Sequence, residues 1–322
     1  METLVSNVPA LLLIGAIVLP IVTYAYLGIG EQILLLAGIQ KMGNAKAVLW
    51  LFVPLALVAL ILVYPLVDTV ISAFLNFDGS AVVGLDNFIW LFAGDMLGVI
   101  WNNLLWIVLF PVGTVVLALV VALLFDKVRY ERFAMTIIVL PTAISFTAAS
   151  IIWRQFYSFQ PAGQVQKGLL NAIWTSITGL KPIAWLQQPF LNTLCLIFVA
   201  IWASVGVASL ILSAAVKNVP QEHLEAARLD GAGEWRILFS IIIPSIAPQL
   251  LVVATTQVIF ALKIFDIIYV MTNGNFKTNT LANRMYYELF AVGDLGHASA
   301  IAVVLLIVAI PVVVLNIRQF RK

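Results

Sequence analysis

Seven apolar runs alternate with shorter polar segments along the chain. The runs lie at about residues 8–28, 48–75, 99–125, 133–153, 190–216, 238–271 and 298–317. An α-helix needs about 20 apolar residues to cross the hydrocarbon core of a bilayer, and each run is long enough. The pattern predicts an all-α membrane protein with about seven transmembrane helices.

The composition agrees with a membrane protein and argues against a nucleic-acid-binding function. Hydrophobic residues make up 63% and charged residues 10% of the 322 residues, and the mean hydropathy is +1.08. Soluble domains are roughly 45–50% apolar and 25% charged, so the chain belongs in a bilayer. A net charge of only +2, with scattered basic residues, gives no reason to expect a nucleic-acid partner.

The sequence lacks the usual features of enzymes and metal sites. Its longest polar segment, about 154–189, is too short for a soluble catalytic domain. Cys195 is the single cysteine, His223 and His297 stand apart from other metal ligands along the chain, and no nucleotide-binding glycine loop is present. We expect no enzyme activity, cofactor or metal in this chain, so ion coupling or another chain would have to supply energy for uphill transport.

The positions of Lys and Arg predict the orientation, because these residues accumulate in short cytoplasmic loops. With the N-terminus outside, the cytoplasmic segments hold Lys41, Lys46, Lys127, Arg129, Arg132, Lys217, Arg228, Arg236, Arg318, Arg321 and Lys322. The outer segments then hold only Arg154, Lys167, Lys181, Lys277 and Arg284. The N-terminus is therefore predicted outside and the C-terminus in the cytoplasm.

The loop at about 217–237 is a markedly polar cytoplasmic segment. "EAARLDGAGEWR" holds five charged residues in its twelve positions. Just before and within it, Asn218 is a candidate N-cap, Pro220 suits a first helical turn and Gly231 suits a left-handed C-cap. The spacing predicts a helix of about ten residues, about 15 Å long and too short to span the bilayer.

This short helix has two interpretations. Its glycine boundary, and the small side chains of Ala226 and Ala227 that permit close approach, favour a docking element for another protein. A solvated turn between two spans would have the same polarity. The residues by themselves leave both interpretations open.

The same residues resemble a known family. "EAARLDGAGEWRILFSIIIPSIAP" is similar to the EAA loop of permease subunits of binding-protein-dependent ABC importers, in which Glu-Ala-Ala, Asp-Gly-Ala and a later Pro recur at fixed spacing. The matching positions are Glu225, Ala226, Ala227, Asp230, Gly231, Ala232 and Pro244. The resemblance extends over residues 48–317 and is to the carbohydrate-type permeases, the maltose and glycerol-phosphate relatives.

The resemblance implies a type I importer permease with a six-helix core in residues 48–322. Residues 1–47 would add an N-terminal transmembrane helix and a cytoplasmic loop. In the membrane of a bacterium or archaeon, the chain would form half of the translocation pathway beside a second, homologous permease subunit. Two ATP-binding subunits would hold ATP and Mg and receive the EAA loop, whose residues would transmit motion, and an extracytoplasmic sugar-binding protein would deliver the sugar.

One segment points to the class of sugar. "MTNGNFKTNTLANRMY" has Gly274-Asn275-Phe276 where most of that group has Gly-Gly-Pro. In this departure the chain is similar to permeases of alpha-glucoside systems. The resemblance therefore implies an oligosaccharide substrate, an alpha-linked glucoside or disaccharide.

Sugar-contacting positions carried over from the maltose-type permease predict a substrate path. They fall on Thr142, Phe146, Ala200, Ala203, Ser204, Val207, Phe260, Ala261 and Lys263. Phe260 is the candidate stacking platform, with Thr142 and Ser204 as hydrogen-bonding groups and with Phe146 and Lys263 beside them. The alternative is that these are packing positions in a helix bundle.

Two charged residues, Lys263 and Asp266, lie inside the sixth apolar run. On one continuous helix they would share a face and pair, with Lys263 about 36 Å beyond Phe239 and near the outer interface. Alternatively, both side chains face the translocation path. In a self-sufficient secondary transporter or channel, they would form part of an ion or proton relay. The EAA-like loop and the absence of two repeat halves in the sequence favour the importer.

Overall fold

The computed structural model describes residues 8–36, 43–125 and 128–319, and the chain forms two compact units, Met1–Ile71 and Ser72–Lys322. Within the described residues every regular element is a helix, which confirms the all-α prediction. Lys41, Lys127, Arg321 and Lys322, which enter the predicted orientation, lie outside those residues.

The first unit is built from long apolar helices. Helix α1 spans Val8–Leu36 and α2 spans Gly43–Val58, and a π-helical turn, Ala59–Val63, leads into α3, Tyr64–Ser72. The rings of Tyr26 and Phe52 lie 6.0 Å apart, and Trp50 Nε1 donates to Glu31 Oε1 at 3.1 Å, so α1 and α2 pack against each other. Helix α1 contains the first predicted span, whereas the predicted domain division after residue 47 stays a prediction.

The second unit combines long apolar helices with several short ones. In chain order they are α4 (Asp86–Leu91), α5 (Met96–Phe125), α6 (Glu131–Val139), α7 (Phe146–Phe156), α8 (Leu169–Thr178), α9 (Leu191–Lys217), α10 (Gln221–Leu229), α11 (Glu234–Ile237), α12 (Ile243–Ser245), α13 (Ala247–Leu262), α14 (Asp266–Met271), α15 (Leu281–Tyr287) and α16 (Leu295–Gln319). A 3-10 turn, Leu140–Ala143, follows α6, and π-helical turns, Leu238–Ile242 and Glu288–Val292, follow α11 and α15.

Helix α9 is the centre of the second unit. It packs along α5 and also contacts α6, α7, α13 and α14. Of its most apolar stretch of 18 residues 56% is buried, against 33% of the corresponding stretch of α5. A Cβ added to Gly206 would lie 2.6 Å from Ile138 O and 2.7 Å from Val139 Cα, so glycine lets α9 approach the backbone of α6. Such close approach is a main source of helix association in membranes.

Six of the predicted spans take two forms. Four are single helices, Ala47–Ser72, Met96–Phe125, Leu191–Lys217 and Leu295–Ile317. The other two are helix pairs, bent by 100° between Ala143 and Phe146 and by 74° between Ser245 and Ala247. A single continuous helix over 238–271 is therefore a wrong prediction, and the run at 133–153 is likewise divided.

Prolines lie at both bends, and a serine caps the helix that follows the first. Pro141 lies in the 3-10 turn after α6, and the Oγ of Ser145 then caps α7 by accepting a hydrogen bond from Ala148 N at 3.2 Å. Pro244 lies in α12, and Pro248 lies in the first turn of α13. Because proline has no N–H and its ring clashes with the preceding turn, it ends one helical segment and is well suited to start the next.

Gly206→Ala is expected to lower the free energy of unfolding by roughly 1–3 kcal/mol, because the added methyl group would overlap the backbone of α6. Gly98→Ala in α5 is the matched control: nothing lies within 4 Å of its added Cβ, and alanine should be neutral or stabilising by up to about 1 kcal/mol. Thermal unfolding of the purified protein in detergent measures both. Equal midpoints for the two variants would contradict the close packing of α9.

Candidate functional site

Helix α10 is the short helix predicted in the polar loop. Its nine residues, Gln221–Leu229, are close to the ten expected. The predicted N-cap is wrong, because α9 continues to Lys217 and Asn218 serves as the C-cap of α9. Pro220 directly precedes α10, and no side chain caps its first turn.

The end of α10 agrees with the sequence. Gly231 has a φ of 79°, the left-handed conformation that closes many helices. Asp230 N donates to Ala226 O at 3.0 Å and Ala232 N to Ala227 O at 2.9 Å, so the turn satisfies the carbonyl groups at the helix end. For a residue with a Cβ, this φ would raise the conformational energy by about 1–2 kcal/mol, which explains why glycine occupies the position.

Helix α10 has an inward and an outward face. Leu224 is buried with Val219 and Ile237, and Ala227 and Ala232 are half-buried against the same cluster. The outward face consists of Glu222, Glu225, Ala226 and Leu229 at helical positions i, i+3, i+4 and i+7. All four are exposed, and Leu229 is 90% exposed, so this face is free for a partner.

Two ion pairs lie next to α10. Arg228 Nε lies 3.2 Å from Glu234 Oε1, and Lys217 pairs with Glu131 of α6. All four side chains are partly exposed, so each pair contributes about 0–1 kcal/mol to stability. The first pair joins α10 to α11, and the second joins the end of α9 to the start of α6.

Three of the predicted path residues meet where helices end. Phe146 is the first residue of α7, and Phe260 lies in the last turn of α13. Their ring centres are 6.3 Å apart in an edge-to-face arrangement. Lys263 Nζ lies 5.6 Å from the centre of the Phe260 ring, which is within the range of a cation–π contact.

Thr142 lies in the turn after α6, where that turn contacts α9, and Ser204 lies on α9. The Thr142 hydroxyl donates to Val139 O at 2.6 Å, and its methyl group lies against Gly206. Ser204 is half-buried on α9, two residues before that glycine. Both stay predictions as hydrogen-bonding groups for a sugar.

Three other positions carried over for the path are buried within the chain. Ala200 and Ala261 are 0% exposed and Ala203 is 6% exposed. Their methyl groups fill the helix contacts around α9 and α13, so a sugar cannot reach them in this conformation. Val207 is 51% exposed on α9.

Lys263 and Asp266 do not share a helix. Helix α13 ends at Leu262, Lys263 is its C-cap, and α14 begins at Asp266. Asp266 Oδ1 accepts a hydrogen bond from Thr147 Oγ1 at 3.2 Å, whereas Lys263 lies over Phe260. The predicted pairing on one helix face and the 36 Å distance along it are therefore wrong, since the bend and the break replace the continuous helix.

His297 is not isolated once the chain is folded. Its Nδ1 lies 2.8 Å from Asp294 Oδ2, and ligand atoms of Glu288, Asp294 and His297 lie within 4.8 Å of one another. Arg284 lies 2.6 Å from Glu288, and Asp294 accepts the backbone N–H of His297 at 2.8 Å. An ion pair and a cap at the start of α16 account for these groups.

The chain matches a family model over residues 45–320, that of the "Binding-protein-dependent transport system inner membrane component". The chain belongs to this family. Its members are membrane components of transport systems, so the predicted permease role and membrane location are confirmed at this level.

Similar proteins include transport permeases with named substrates. An osmoprotective compounds uptake permease protein of Synechocystis is 47% identical over 81% of this chain and 93% of its own length. The alpha-glucoside transport system permease protein AglF of Rhizobium meliloti is 42% identical over 85% of this chain and 82% of its own length. The trehalose/maltose permease protein MalF of Thermococcus litoralis is 29% identical over 69% of this chain and 76% of its own length.

A solved structure has the same fold. It is a bacterial ABC transporter involved in the import of the acidic polysaccharide alginate, with a TM-score of 0.73, 22% identity, and coverage of 88% of this chain and 97% of that chain. The predicted type I importer permease fold is thereby confirmed.

Gly231→Ala is expected to loosen the end of α10, because alanine is strained at a φ of 79°. A cost of about 1–2 kcal/mol corresponds to roughly 5- to 30-fold faster opening, so amide exchange of residues 230–232 should accelerate by that factor. Gly233→Ala is the control, since Gly233 has a φ of −72° and open space around it. Hydrogen–deuterium exchange with mass spectrometry measures both, and equal rates would argue against a glycine-dependent cap.

Proposed function

We propose that the chain is a permease subunit of an ATP-driven importer of a neutral alpha-linked glucoside or disaccharide. It forms half of the translocation pathway. The loop at about 217–237 couples that pathway to a cytoplasmic ATPase, and the chain itself neither binds ATP nor hydrolyses it.

The outward face of α10 is the observation that carries the coupling role. A nine-residue helix with an inward anchor at Leu224 and an exposed face of small, acidic and apolar side chains stands between two apolar helices. Ala226 lets a partner approach the helix backbone, and Leu229 offers apolar area that only a partner can bury. On a face that otherwise carries acidic and small side chains, Leu229 supplies the one large apolar contact.

The class of substrate follows from the relatives and from the side chains near the helix ends. The alpha-glucoside permease is 42% identical to this chain. The Phe146–Phe260 ring pair offers an aromatic face of the kind that sugars stack on, with Lys263 next to it as a donor. The buried Ala200, Ala203 and Ala261 leave fewer contacts than the resemblance implies, so a partner permease would provide part of the site.

The orientation and partners complete the proposal. With the N-terminus outside, α10 faces the cytoplasm, where two ATP-binding subunits hold ATP and Mg and receive the outward face. A second, homologous permease lines the other half of the pathway. A binding protein outside the membrane delivers the sugar, as the name of the family suggests.

The secondary transporter has no comparable support. Lys263 and Asp266, the residues of its ion relay, lie at the end of α13 and the start of α14, where Lys263 contacts the Phe260 ring and Asp266 accepts a hydrogen bond from Thr147. Membership of a binding-protein-dependent family adds a second reason to prefer the importer.

Leu229→Glu is expected to abolish co-purification of the ATP-binding subunits, because it replaces the one large apolar side chain of the outward face with a charge. Glu225→Ala, at the first position of the Glu-Ala-Ala triplet, should still allow the complex to assemble but should reduce its sugar-stimulated ATP hydrolysis. Leu180→Glu is the control, since Leu180 is also exposed, at 59%, but lies in the segment between α8 and α9. Normal assembly and stimulated hydrolysis with both α10 variants would exclude the coupling role.

Phe260→Ala is expected to raise the sugar concentration needed for half-maximal transport in vesicles roughly two- to tenfold, because the stacking ring is lost. Phe92→Ala, which removes a ring that is 58% exposed after α4, should leave it unchanged. Identical sugar dependence in the Phe260→Ala and unmodified complexes would remove Phe260 from the path.

A further inference from the structure

The segment between α14 and α15 has an unusual backbone. Asn273, Phe276 and Lys277 have φ values of 52°, 56° and 64°, and Gly274 has a φ of 76°. The left-handed conformation costs a residue with a Cβ about 1–2 kcal/mol. Several such residues in one short loop persist only where the surrounding structure holds them, and they cluster at functional sites.

Buried amide side chains from two long helices hold this loop. Asn192 at the start of α9 donates from Nδ2 to Phe276 O at 2.8 Å, and it is 0% exposed. Asn102 of α5 donates from Nδ2 to Lys277 O and to Asn279 O, the latter at 3.0 Å. The loop conformation is thus fixed by the bundle.

The loop places the Phe276 ring at the wall of a cavity of about 440 Å³. The ring is 49% exposed. Polar walls are provided by Arg154 and Gln155 in the last turn of α7, and by Ser158 and Gln187. All the lining residues belong to the described part of the chain, and none of them is acidic.

The cavity is lined partly by α7, the helix that begins with Phe146 of the predicted path. Helices α7 and α14 run side by side, joined by the Thr147–Asp266 hydrogen bond and by Arg154, which donates to Val270 O at 3.2 Å. The eight residues from Phe146 to Arg154 correspond to about 12 Å along α7. The cavity borders the start of α9, at the opposite end of that helix from α10, and so faces outward in the proposed orientation.

The chemistry of the walls fits a hydroxyl-rich ligand. An aromatic ring can stack on the apolar face of a sugar ring, while guanidinium and amide groups donate to its hydroxyl oxygens. The bond to Val270 O uses one of the five N–H donors of Arg154. The volume lies within the range of small-ligand sites, and one basic residue with no acidic one disfavours a cation.

We propose that this cavity is an outer saccharide subsite, where one end of a neutral α-glucoside stacks on Phe276 and accepts hydrogen bonds from Arg154 and Gln155. The sugar occupies it before it reaches Phe146 and Phe260. The subsite rests on the proposed import function and adds a binding site about 12 Å along α7 from the ring pair.

Thiol protection in the assembled complex tests the subsite. In a Cys195→Ala background, Ser158→Cys places a reactive thiol in the cavity wall, and Gln164→Cys places one in the same outer segment away from the cavity. The complex, without its binding protein, is labelled with a maleimide in the presence of maltose, trehalose or mannitol. An α-glucoside at about twice its dissociation constant should slow labelling of the Ser158→Cys protein about threefold, and leave the Gln164→Cys protein and the mannitol samples unchanged.

A second substitution separates the ring from the loop. Phe276→Ala is expected to abolish the protection. Lys277→Ala changes the neighbouring left-handed residue, which is not part of the cavity wall, and should keep the protection. Loss of protection with both variants would mean that loop conformation, and not stacking, is responsible, which would overturn the role of Phe276.

Sugar-stimulated ATP hydrolysis, measured on the same complex with binding protein, distinguishes the two proposals. Stimulation without any protection of the cavity thiol would overturn the subsite and leave the import function standing. Protection by ligand-free binding protein and not by sugar would make the cavity a docking surface for that protein, which also overturns the subsite. No stimulation by any α-glucoside would overturn the import function together with the subsite.

Discussion

In the hydrocarbon of a bilayer, a backbone N–H or C=O without a hydrogen-bond partner costs several kcal/mol, so a membrane helix can be interrupted only where other groups complete its hydrogen bonds. Side-chain hydrogen bonds complete several of the interruptions within the described residues. Asn192 and Asn102 donate to carbonyl groups of the loop after α14, and Thr280 Oγ1 donates to Ile264 O in the break after α13, at 3.0 Å. Ser145 caps the helix that follows the sharpest bend. These bonds make it possible for helix ends, with their polar groups, to meet inside an apolar protein.

Helix α9 connects the two regions of functional interest. Asn192 near its first residue holds the loop that carries Phe276, and its last residue, Lys217, leads directly into the turn before α10. Between them, Gly206 brings α9 against the backbone of α6, which leaves little room for the two to slide independently. One continuous helix, Leu191–Lys217, therefore joins the two regions. In the proposed importer, this helix would link events at the ATPase to the outer part of the pathway.

The polar loop was predictable because its signals are local. A glycine directly after a helical pattern can adopt the left-handed conformation and end the helix, and this does not depend on distant residues. Gly231 ends α10 in this way. The prediction of Asn218 as an N-cap was wrong. Its side chain suits that position, but the apolar run before it continues as α9 to Lys217, so Asn218 is the C-cap of α9. The pairing of Lys263 with Asp266 was predicted wrongly because their spacing gives a shared face only on a continuous helix. Here α13 ends at Leu262 and α14 begins at Asp266. Pro141, Pro244 and Pro248 lie at the bends, but Pro111 and Pro311 lie inside unbroken helices, so proline by itself did not mark the breaks.

The sequence by itself determined the membrane class, the helical spans and the position of the short polar helix, because hydrophobicity, helix length and glycine conformation are properties of a few neighbouring residues. It did not determine where the apolar runs would break, which alanines would be buried, or which asparagines would hold a loop. Those features were decided by the tertiary structure. Asn192 and Phe276 are 84 residues apart along the chain. The Asn192 side chain can donate to the carbonyl group of Phe276, whose backbone is left-handed, only after the packing of the whole bundle has brought α9 and the loop together.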